Sequence, residues 1–496
     1  MLNLKQILCL GSGGFAVGVV IALSTGVGQL ALKLHTSSTL LIGIVIGIGW
    51  FFGVILPPVI GILSDNTRTR FGRRVPYLMV FVPLTAIAML FMAFFVGGGT
   101  VGTSSEGVNE ECFVKVTDVV PGEEGKYAVN LLLGSYKDVN IKEMKITLDK
   151  DFEEAEWEPY SNTKTLVVSN YEQGQTVYAK YRIYSGFAPE WAILFLIAGF
   201  IITALFYNIW NAPYWALMPD ITKPEERGKA SGAMQAFNIV GAIVAMGVSG
   251  VLWDINPAYA FYLFAVLILV TGTITAFGIK ERELVRRKGV EIEEEKKVKF
   301  REMIKDFFEA KEFAKFALVT NFYWFAMGTF STFFVLYATE YLHMEEGASL
   351  ILMGIFSIIM VLCAAPLGIF ADKIGNKKKV LILGMLLGIC SMPFAWFVTD
   401  VVQAYPIMVM SGITFGAITV CGYAIQTDLL PPGKEGELLG IGTIFMALPM
   451  MLASFIVGAI IAALGNDYRV MWIIAPFSLL IALLILTKVD TTPIHK

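Results

Sequence analysis

Charged residues are scarce in this sequence: they make up 16% of its 496 residues, whereas hydrophobic residues make up 56%. Together with a mean hydropathy of +0.67, this composition excludes an ordinary soluble globular protein. The formal net charge is only −3, so nothing in the overall charge indicates nucleic-acid binding. The sequence also lacks a nucleophile–base set, a metal-ligand cluster and a phosphate-binding loop, so we predict neither an enzyme nor a cofactor.

Cysteine is rare as well. Four of the five cysteines (Cys9, Cys363, Cys390 and Cys421) lie in apolar runs, where cysteine acts as a small hydrophobic residue. Cys112 lies outside these runs and has no obvious partner. We therefore predict no disulfide framework.

Long apolar runs, in contrast, are abundant. Twelve of them are long enough to cross about 30 Å of hydrocarbon. They are 7–32, 39–63, 76–97, 189–217, 230–253, 257–279, 313–339, 348–370, 379–399, 404–429, 438–464 and 468–487. Because backbone polar groups must be satisfied inside lipid, we predict that these runs are helices. The first run has no cleavage site, which favours a spanning helix over a removable signal.

Lysine and arginine between the runs predict the orientation of the chain. With the N-terminus inside, the inner segments hold 27 of the 38 basic residues, and the short outer loops hold two. Both termini are then cytoplasmic, and residues 98–188 are outside. This outer segment has no N-x-Ser/Thr sequon, which favours a multi-pass protein of a prokaryotic plasma membrane.

Residues 98–188 interrupt the third and fourth runs. After a glycine-rich start, which we expect to be flexible, they read as strands at 126–133, 139–148, 163–169 and 176–184. We predict a small extracytoplasmic β-sandwich. It holds fifteen acidic and nine basic residues. The alternative is an unfolded acidic loop.

The remaining boundaries follow from the runs. Residues 1–97 and 189–279 carry helices 1–3 and 4–6 of an N-terminal half, residues 313–487 form a C-terminal six-helix half, and residues 488–496 are a cytoplasmic tail. Residues 280–312 link the halves. In this linker the apolar residues Phe300, Ile304, Phe307 and Phe308 fit one face of an amphipathic helix against the bilayer.

A charged motif occurs twice, each time between two apolar runs. GILSDNTRTRFGRRVP at 61–76 is answered by GIFADKIGNKKKV at 368–380, with Gly61 matching Gly368 and Asp65 matching Asp372. The first copy carries four more residues between its Asp and its Gly. Such a repeat indicates two homologous halves. Related acid-containing segments end the fourth and tenth runs, so that the candidate gating residues are Gly61, Asp65, Arg68, Arg73, Arg74, Asp220, Arg227, Gly368, Asp372, Lys377 and Asp428.

This motif resembles that of the major facilitator superfamily, the twelve-helix secondary transporters. Its longer form, DNTRTRFGRR, is similar to the glycoside–pentoside–hexuronide symporters (the melibiose permease group) and to sucrose-transporter-like proteins. The resemblance implies an all-α membrane protein with two pseudo-symmetric six-helix halves. It also implies that the Asp ties one helix end to a neighbour and that the basic residues hold a cytoplasmic gate.

Polar residues inside the spans are the candidates for substrate binding. Asn208, Asn211 and Trp215 share one stripe of the fourth run, at spacings i, i+3 and i+7. The melibiose permease group has an Asp-x-Pro-aromatic-Trp segment there that holds the sugar, and this chain has Asn211-Ala-Pro-Tyr-Trp215. An aromatic ring beside an amide suits a polyhydroxy ligand. The alternative is helix packing through Asn and interfacial anchoring through Trp.

Secondary candidates come from both halves. Each of them alone also fits a packing hydrogen bond. They are Gln29, Gln235, Asn238, Asn321, Trp324, Tyr423 and Gln426.

The chain differs from the family at the residue positions that couple transport to ions. The Lys-Asp pair of the first helix corresponds to Gly13-Gly14, and the two cation-binding Asp positions of the second helix correspond to Gly53 and Pro57. No charged residue or His lies near the centre of any run. Sodium binding requires anionic oxygen and a proton relay requires a titratable group, so we expect facilitated diffusion, or at most weak coupling through acids at the helix ends. The alternative is sodium held only by backbone carbonyls and amides beside Pro57 and Asn211.

These features predict a secondary transporter of a small neutral polyhydroxy solute, a sugar or a glycoside, by alternating access. One alternative is a carrier of an amphiphile such as a lysolipid, because the spans are so uncharged. Another is a non-transporting membrane receptor that uses its outer β-module. We expect a monomer whose partners are a small-molecule solute and the lipid bilayer, with no nucleic acid.

Overall fold

The computed structural model describes residues 3–96, 100–105, 112–121, 126–135, 140–148, 158–168, 175–184, 189–222, 227–288, 300–431 and 435–492. Six long helices precede the linker. They are α1 (Leu4–Lys33), α2 (Thr39–Asn66), α3 (Val75–Ala93), α4 (Pro189–Ile221), α5 (Arg227–Ile255) and α6 (Pro257–Gly278). Each coincides with a predicted apolar run.

Two short helices and six long ones follow. They are α7 (Glu281–Lys288), α8 (Phe300–Glu309), α9 (Lys311–Glu340), α10 (Glu346–Ile374), α11 (Lys377–Ser391), α12 (Val401–Asp428), α13 (Glu435–Ala463) and α14 (Met471–Thr487). Single π-helical turns interrupt α1 at Leu23–Val27 and α12 at Ile418–Gly422.

Eleven of the described helices are long and apolar enough to cross a membrane. The helix α9 is 30 residues long but is not one of these eleven. Its residues from Gly328 to Thr339 are all buried inside the protein. A helical stretch that is covered by protein on every side needs no lipid-compatible surface, which explains why serine and threonine are frequent in this part of α9.

The chain between α3 and α4 forms two small sheets. One has the strand order β1 (Thr100–Ser104), β7 (Tyr178–Tyr184), β4 (Asn140–Thr147) and β5 (Glu158–Pro159), and the other has the order β2 (Cys112–Pro121), β3 (Tyr127–Ser135) and β6 (Thr163–Val168). All strand pairs are antiparallel. Val129 and Leu131 of one sheet share a buried apolar cluster with Met144 and Tyr181 of the other.

Three details of the insertion and the linker differ from expectation. Strands β2 and β5 are not among the four predicted strands. The glycine-rich start, expected to be flexible, contains strand β1, because its backbone pairs with β7. In α8, Phe307 does not face the bilayer: it is buried, and its ring centre lies 5.3 Å from that of Phe445 in α13, whereas Phe308 is 67% exposed. The prediction of one bilayer-facing apolar stripe is therefore wrong for Phe307. The side chains of Phe300 and Ile304 lie outside the described residues.

The two ends of the helix bundle differ in character. We call the end that carries the α1–α2 and α3–α4 connections the sheet side, and the end that carries the α2–α3 connection the motif side. The ion pair of Lys33 with Glu340 places the α9–α10 connection on the sheet side as well. One continuous buried apolar cluster joins helices of both halves.

Candidate functional site

The two halves are joined at the sheet side by polar contacts. The side-chain amide of Gln29 in α1 donates to the carbonyl oxygen of Ser331 in α9 at 2.9 Å, in a buried environment. One turn further along α1, Lys33 forms an ion pair with Glu340 at the end of α9. A buried amide–carbonyl bond between helices is the kind of contact that fixes helix register in a membrane.

The helices α5 and α10 cross at the sheet side through glycine. A methyl group on Gly347 would lie 2.2 Å from the carbonyl oxygen of Gly250. The Gly347 N–H donates to the carboxylate of Asp254 at 3.0 Å, and the indole N–H of Trp253 donates to Glu346 at 2.7 Å. The crossing leaves no space for a larger residue, so it is a closed contact between the halves.

The closeness of neighbouring atoms along α2 and along α5 changes toward the motif side. A methyl on Gly43 of α2 would lie 2.4 Å from the carbonyl oxygen of Ser454, but one on Gly61 would meet no described atom within 4 Å. In α5, a methyl on Gly250 would be in close contact with described atoms, whereas a methyl on Gly232 would meet none within 4 Å. Each open glycine lies about five turns of 3.6 residues from its closed partner and therefore on the same helix face. A methyl would thus meet close neighbours at Gly43 and Gly250, at the sheet side, and no described atom within 4 Å at Gly61 and Gly232, toward the motif side.

The residues of the predicted stripe on α4 lie in different hydrogen-bonding environments. Asn208 is buried, and its amide donates within α4 at 2.8 Å and toward the Gly49 carbonyl of α2 at 3.5 Å. The Oδ1 atom of Asn211 is also buried, yet no described residue donates a hydrogen bond to it. Trp215 is only partly buried. Asn208 therefore serves helix packing, and Asn211 carries an unused acceptor.

The secondary candidates occupy three kinds of environment. Gln29 and Gln426 are buried, and the Gln29 Oε1 has no hydrogen-bond donor among the described residues. The partly buried residues are Asn238, Asn321 and Trp324. The exposed residues are Gln235 and Tyr423, with Tyr423 exposed to 61%.

Close packing against neighbouring atoms explains the glycine pair Gly13-Gly14 of α1. A methyl on Gly13 would lie 2.4 Å from the ring of Tyr214, and one on Gly14 would lie 2.3 Å from the carbonyl oxygen of Met234. The Tyr214 hydroxyl fixes its ring there by donating to the Leu10 carbonyl at 2.8 Å. The space that a Lys-Asp pair would need is therefore filled by an aromatic ring and a neighbouring helix.

On the motif side, the first copy of the motif forms an ion network. The guanidinium of Arg73 donates to both carboxylate oxygens of Asp220, at 3.0 and 2.6 Å. Arg74 donates to Asp220 at 3.1 Å and pairs with Asp65. Burial opposes the charged form of Arg73, but the hydrogen bond and the charge of Asp220 outweigh it, so the pKa of Arg73 is raised. The network ties α2, α3 and α4 together.

Glu281 completes this network, and the sequence analysis missed it. Its carboxylate is buried and accepts from the backbone N–H groups of Arg73, Arg74 and Val75, at 2.9 to 3.1 Å. An acidic side chain on the free N–H groups at the start of α3 is favoured by the helix dipole. In sequence, Glu281 is one charge in a run of mixed charges, and only its place directly after the sixth apolar run distinguishes it.

The second copy of the motif repeats the network in part. Lys377 forms an ion pair with Asp428 at 2.6 Å, as Arg73 does with Asp220. Asp372, the counterpart of Asp65, is exposed and has no ion pair with a described residue. Arg68 is likewise exposed and outside the network, and the side chain of Arg227 lies outside the described residues. The predicted gating residues are therefore assembled mainly in the first half.

The comparisons with known proteins agree with this architecture. A family model described as Major Facilitator Superfamily matches residues 183–404 and 316–496, and one described as MFS/sugar transport protein matches residues 29–104. An uncharacterized MFS-type transporter, MJ1317, of Methanocaldococcus jannaschii is 26% identical over 260 residues, which are 51% of this chain and 62% of that relative. The aligned region thus spans less than two thirds of the relative's length.

Solved structures share the fold over nearly the whole chain. The nucleoside transporter NupG is 12% identical with a TM-score of 0.62, covering 98% of this chain and 100% of NupG. A D-xylose–proton symporter is 14% identical with a TM-score of 0.60, covering 99% and 98%. Together with the eleven membrane-length helices among the described residues and the family match over more than half of the chain, these findings show that this multi-pass membrane protein belongs to the major facilitator superfamily.

Proposed function

We propose that this transporter moves a small neutral polyhydroxy solute, a sugar or a glycoside, by alternating access. The observation that carries the proposal is the buried Oδ1 of Asn211, which lacks a hydrogen-bond donor among the described residues. An unsatisfied buried acceptor is costly, and a solute hydroxyl would supply the missing donor. Trp215, one turn along the same stripe, offers a ring face for the apolar side of a sugar.

The gradient of helix contacts supports the mechanism. The halves touch at Gly347 and separate at Gly61 and Gly232, which is the arrangement of an alternating-access transporter open on one side. The family match to a sugar-transport model at residues 29–104 supports the solute class. The stripe of Asn211 and Trp215 also supports a relationship to the melibiose permease group.

A ligand screen on the purified full chain tests this proposal. Sugars, glycosides and lysolipids are added in turn, and the apparent melting temperature is measured, because a ligand of the folded state raises it. We expect a sugar or a glycoside to give a shift that Trp215→Phe and Asn211→Ala abolish. Trp191→Phe is the matched control, since Trp191 lies on the same helix but is 59% exposed. A shift that persists in both α4 variants would contradict the proposed site.

A lysolipid that gives the larger shift would favour the alternative, an amphiphile carrier. The specific observation behind this alternative is that the centres of the spans carry no charge. An amphiphile would place its chain against such a surface at no electrostatic cost.

We further propose that α9 is a twelfth span and that both termini and the motif side are cytoplasmic. The two sheets, which share one apolar cluster, would then form an extracytoplasmic sandwich-like module. The surrounding membrane would be the plasma membrane, and the protein a monomer.

A receptor function of the module is tested by replacing residues 106–186 with a short Gly/Ser bridge. Transport by the shortened protein would argue against the receptor.

A further inference from the structure

The first copy of the motif has four more residues between Asp65 and Gly72 than the second copy has between Asp372 and Gly375. The loop at residues 66–72, which we call the tip, takes no part in the ion network of the described residues. Thr69 and Gly72 pair as a β-bridge, with both backbone hydrogen bonds at 3.3 Å, and the Thr69 hydroxyl also donates to the Gly72 carbonyl at 2.8 Å. Gly72 has φ +124°, which a side chain would strain. The tip is therefore a fixed turn whose base is fastened by Glu281.

This turn presents cationic and aromatic side chains outward. Arg68 and Arg70 are exposed, and neither has an ion pair with a described residue. The guanidinium carbon of Arg70 lies 4.7 Å from the ring centre of Phe71, which is itself 41% exposed. An exposed aromatic ring beside arginine is typical of a protein surface at the membrane interface.

The helix α7 adds two more arginines beside the tip. Its first residue, Glu281, holds α7 against the loop, and Leu284 is buried, so the opposite face is turned outward. Arg282 and Arg286 are both exposed and lie one turn apart on that face. The nearby acid Glu283 is paired with Lys280 at 3.3 Å. We call Arg68, Arg70, Arg282 and Arg286 the arginine patch.

The position of the patch relative to the bilayer identifies its ligand. The helix α2 has 28 residues, and at about 1.5 Å per residue it is roughly 42 Å long, the thickness of a bilayer with its headgroups. The loop that follows α2 therefore leaves the helix in the headgroup layer. We propose that the arginine patch binds the phosphate groups of anionic phospholipids in the leaflet on the motif side.

The chemistry of the patch fits this ligand. A guanidinium donates two parallel hydrogen bonds to a phosphate. The four guanidinium groups, none of which has an ion pair with a described residue, complement a lipid surface of negative charge. Each arginine near an anionic surface strengthens binding by roughly fivefold. The second copy of the motif has no such tip, so the patch belongs to the first half of the chain.

Native mass spectrometry of the purified full chain tests the proposal, with dioleoyl-phosphatidylglycerol and dioleoyl-phosphatidylcholine titrated separately. We expect preferential binding of phosphatidylglycerol, weakened tenfold or more in the double variant Arg68→Gln/Arg70→Gln. The matched control is Lys373→Gln/Lys379→Gln, which removes two exposed charges from the second copy of the motif. This control should bind within about twofold of the natural protein.

Additional variants and a competition with inorganic phosphate complete the test. Arg282→Gln/Arg286→Gln should weaken binding in the same way, which covers the case that the loop variant fails to fold. Arg68→Lys/Arg70→Lys should weaken binding less than the glutamine variant does, because it keeps the charge but loses the parallel hydrogen bonds of the guanidinium groups. Equal losses in the second-copy control, or equal binding of both lipids, would overturn the proposal. Competition by inorganic phosphate at equal concentration would also overturn it, since the site would then hold a free anion.

Discussion

The side-chain nitrogen of Gln29 lies 2.9 Å from the carbonyl oxygen of Ser331, across the boundary between the two halves. The two residues are 302 positions apart in sequence, and both are buried. In the proposed alternating-access cycle, this bond has to break whenever the sheet side opens. Its strength would therefore set part of the free-energy difference between the two proposed states.

Replacing Gln29 should favour opening at the sheet side. We expect Gln29→Leu to destabilise the closed contact by about 1 kcal/mol, since a polar contact between membrane helices contributes roughly that much. Labelling of Ser331→Cys by a membrane-impermeant thiol reagent, in a background without the native cysteines, measures the opening. The rate should rise about fivefold. An unchanged rate would mean that the bond does not hold the gate.

Substitution of Gly347 should prevent closure at the sheet side. The added methyl of Gly347→Ala would lie 2.2 Å from the Gly250 carbonyl oxygen, too close for any real contact. Gly354→Ala is the matched control on the same helix, because its methyl would lie 3.5 Å from the nearest atom, in Met246. We expect exchange in proteoliposomes to fall at least tenfold in the first variant and to stay near normal in the second. Similar rates in both would contradict the closed-contact interpretation.

Removing the charge of Glu281 should destabilise the motif side. Glu281→Gln keeps the size of the side chain but weakens its bonds to three backbone N–H groups, and we expect a loss of about 1–3 kcal/mol in unfolding free energy. Thermal unfolding of the purified protein measures this loss. The control Glu283→Gln changes an exposed ion pair and should have no measurable effect. Equal melting temperatures for the two variants would argue against the capping role.

The motif aspartates should act on the rate of exchange, not on substrate contact. Asp65→Asn removes one of the two carboxylate partners of Arg74, so we expect exchange to slow about tenfold while equilibrium ligand binding stays within a few fold. Asp372→Asn should have the smaller effect, because Asp372 has no ion pair with a described residue in this conformation. Loss of binding in well-folded Asp65→Asn protein would refute this assignment.

Ion gradients should not drive accumulation of the solute. The carbonyl oxygen of Met234 occupies the space beside Gly14 where the family's carboxylate would stand, and no charge lies near the centre of any predicted span. Counterflow in proteoliposomes should occur without a gradient. Accumulation above equilibrium, driven by H⁺ or Na⁺, would reveal a coupling site elsewhere in the chain.

The sequence predicted the helices well because the physical requirement for a membrane-spanning helix is simple. A span must be long, apolar and hydrogen-bonded within itself, so each apolar run marks a helix to within a few residues. The strands β3, β4, β6 and β7 were visible in the same way, through alternation. Strand β1 was not, because its pairing with β7 is a long-range contact in a glycine-rich segment.

Site residues were harder to predict because their roles depend on neighbours. Asn208 and Asn211 have the same side chain on the same stripe, yet one is satisfied by carbonyl groups and the other is not. Glu281 gains its role only because the fold brings it to the start of α3. The π-helical turns of α1 and α12 have no sequence signature of their own, although such turns often lie at functional sites.

The glycine crossing of Gly250 and Gly347 also has a mechanical consequence. It lies near one end of α5, so the rest of the helix acts as a lever arm of about 27 Å, given 18 residues at roughly 1.5 Å each. A tilt of about 10° at this pivot moves the far end by roughly 5 Å at that length. In the proposed alternating-access cycle, a rigid rotation of about 10° is therefore enough to close the gap beside Gly232, and no helix has to unwind.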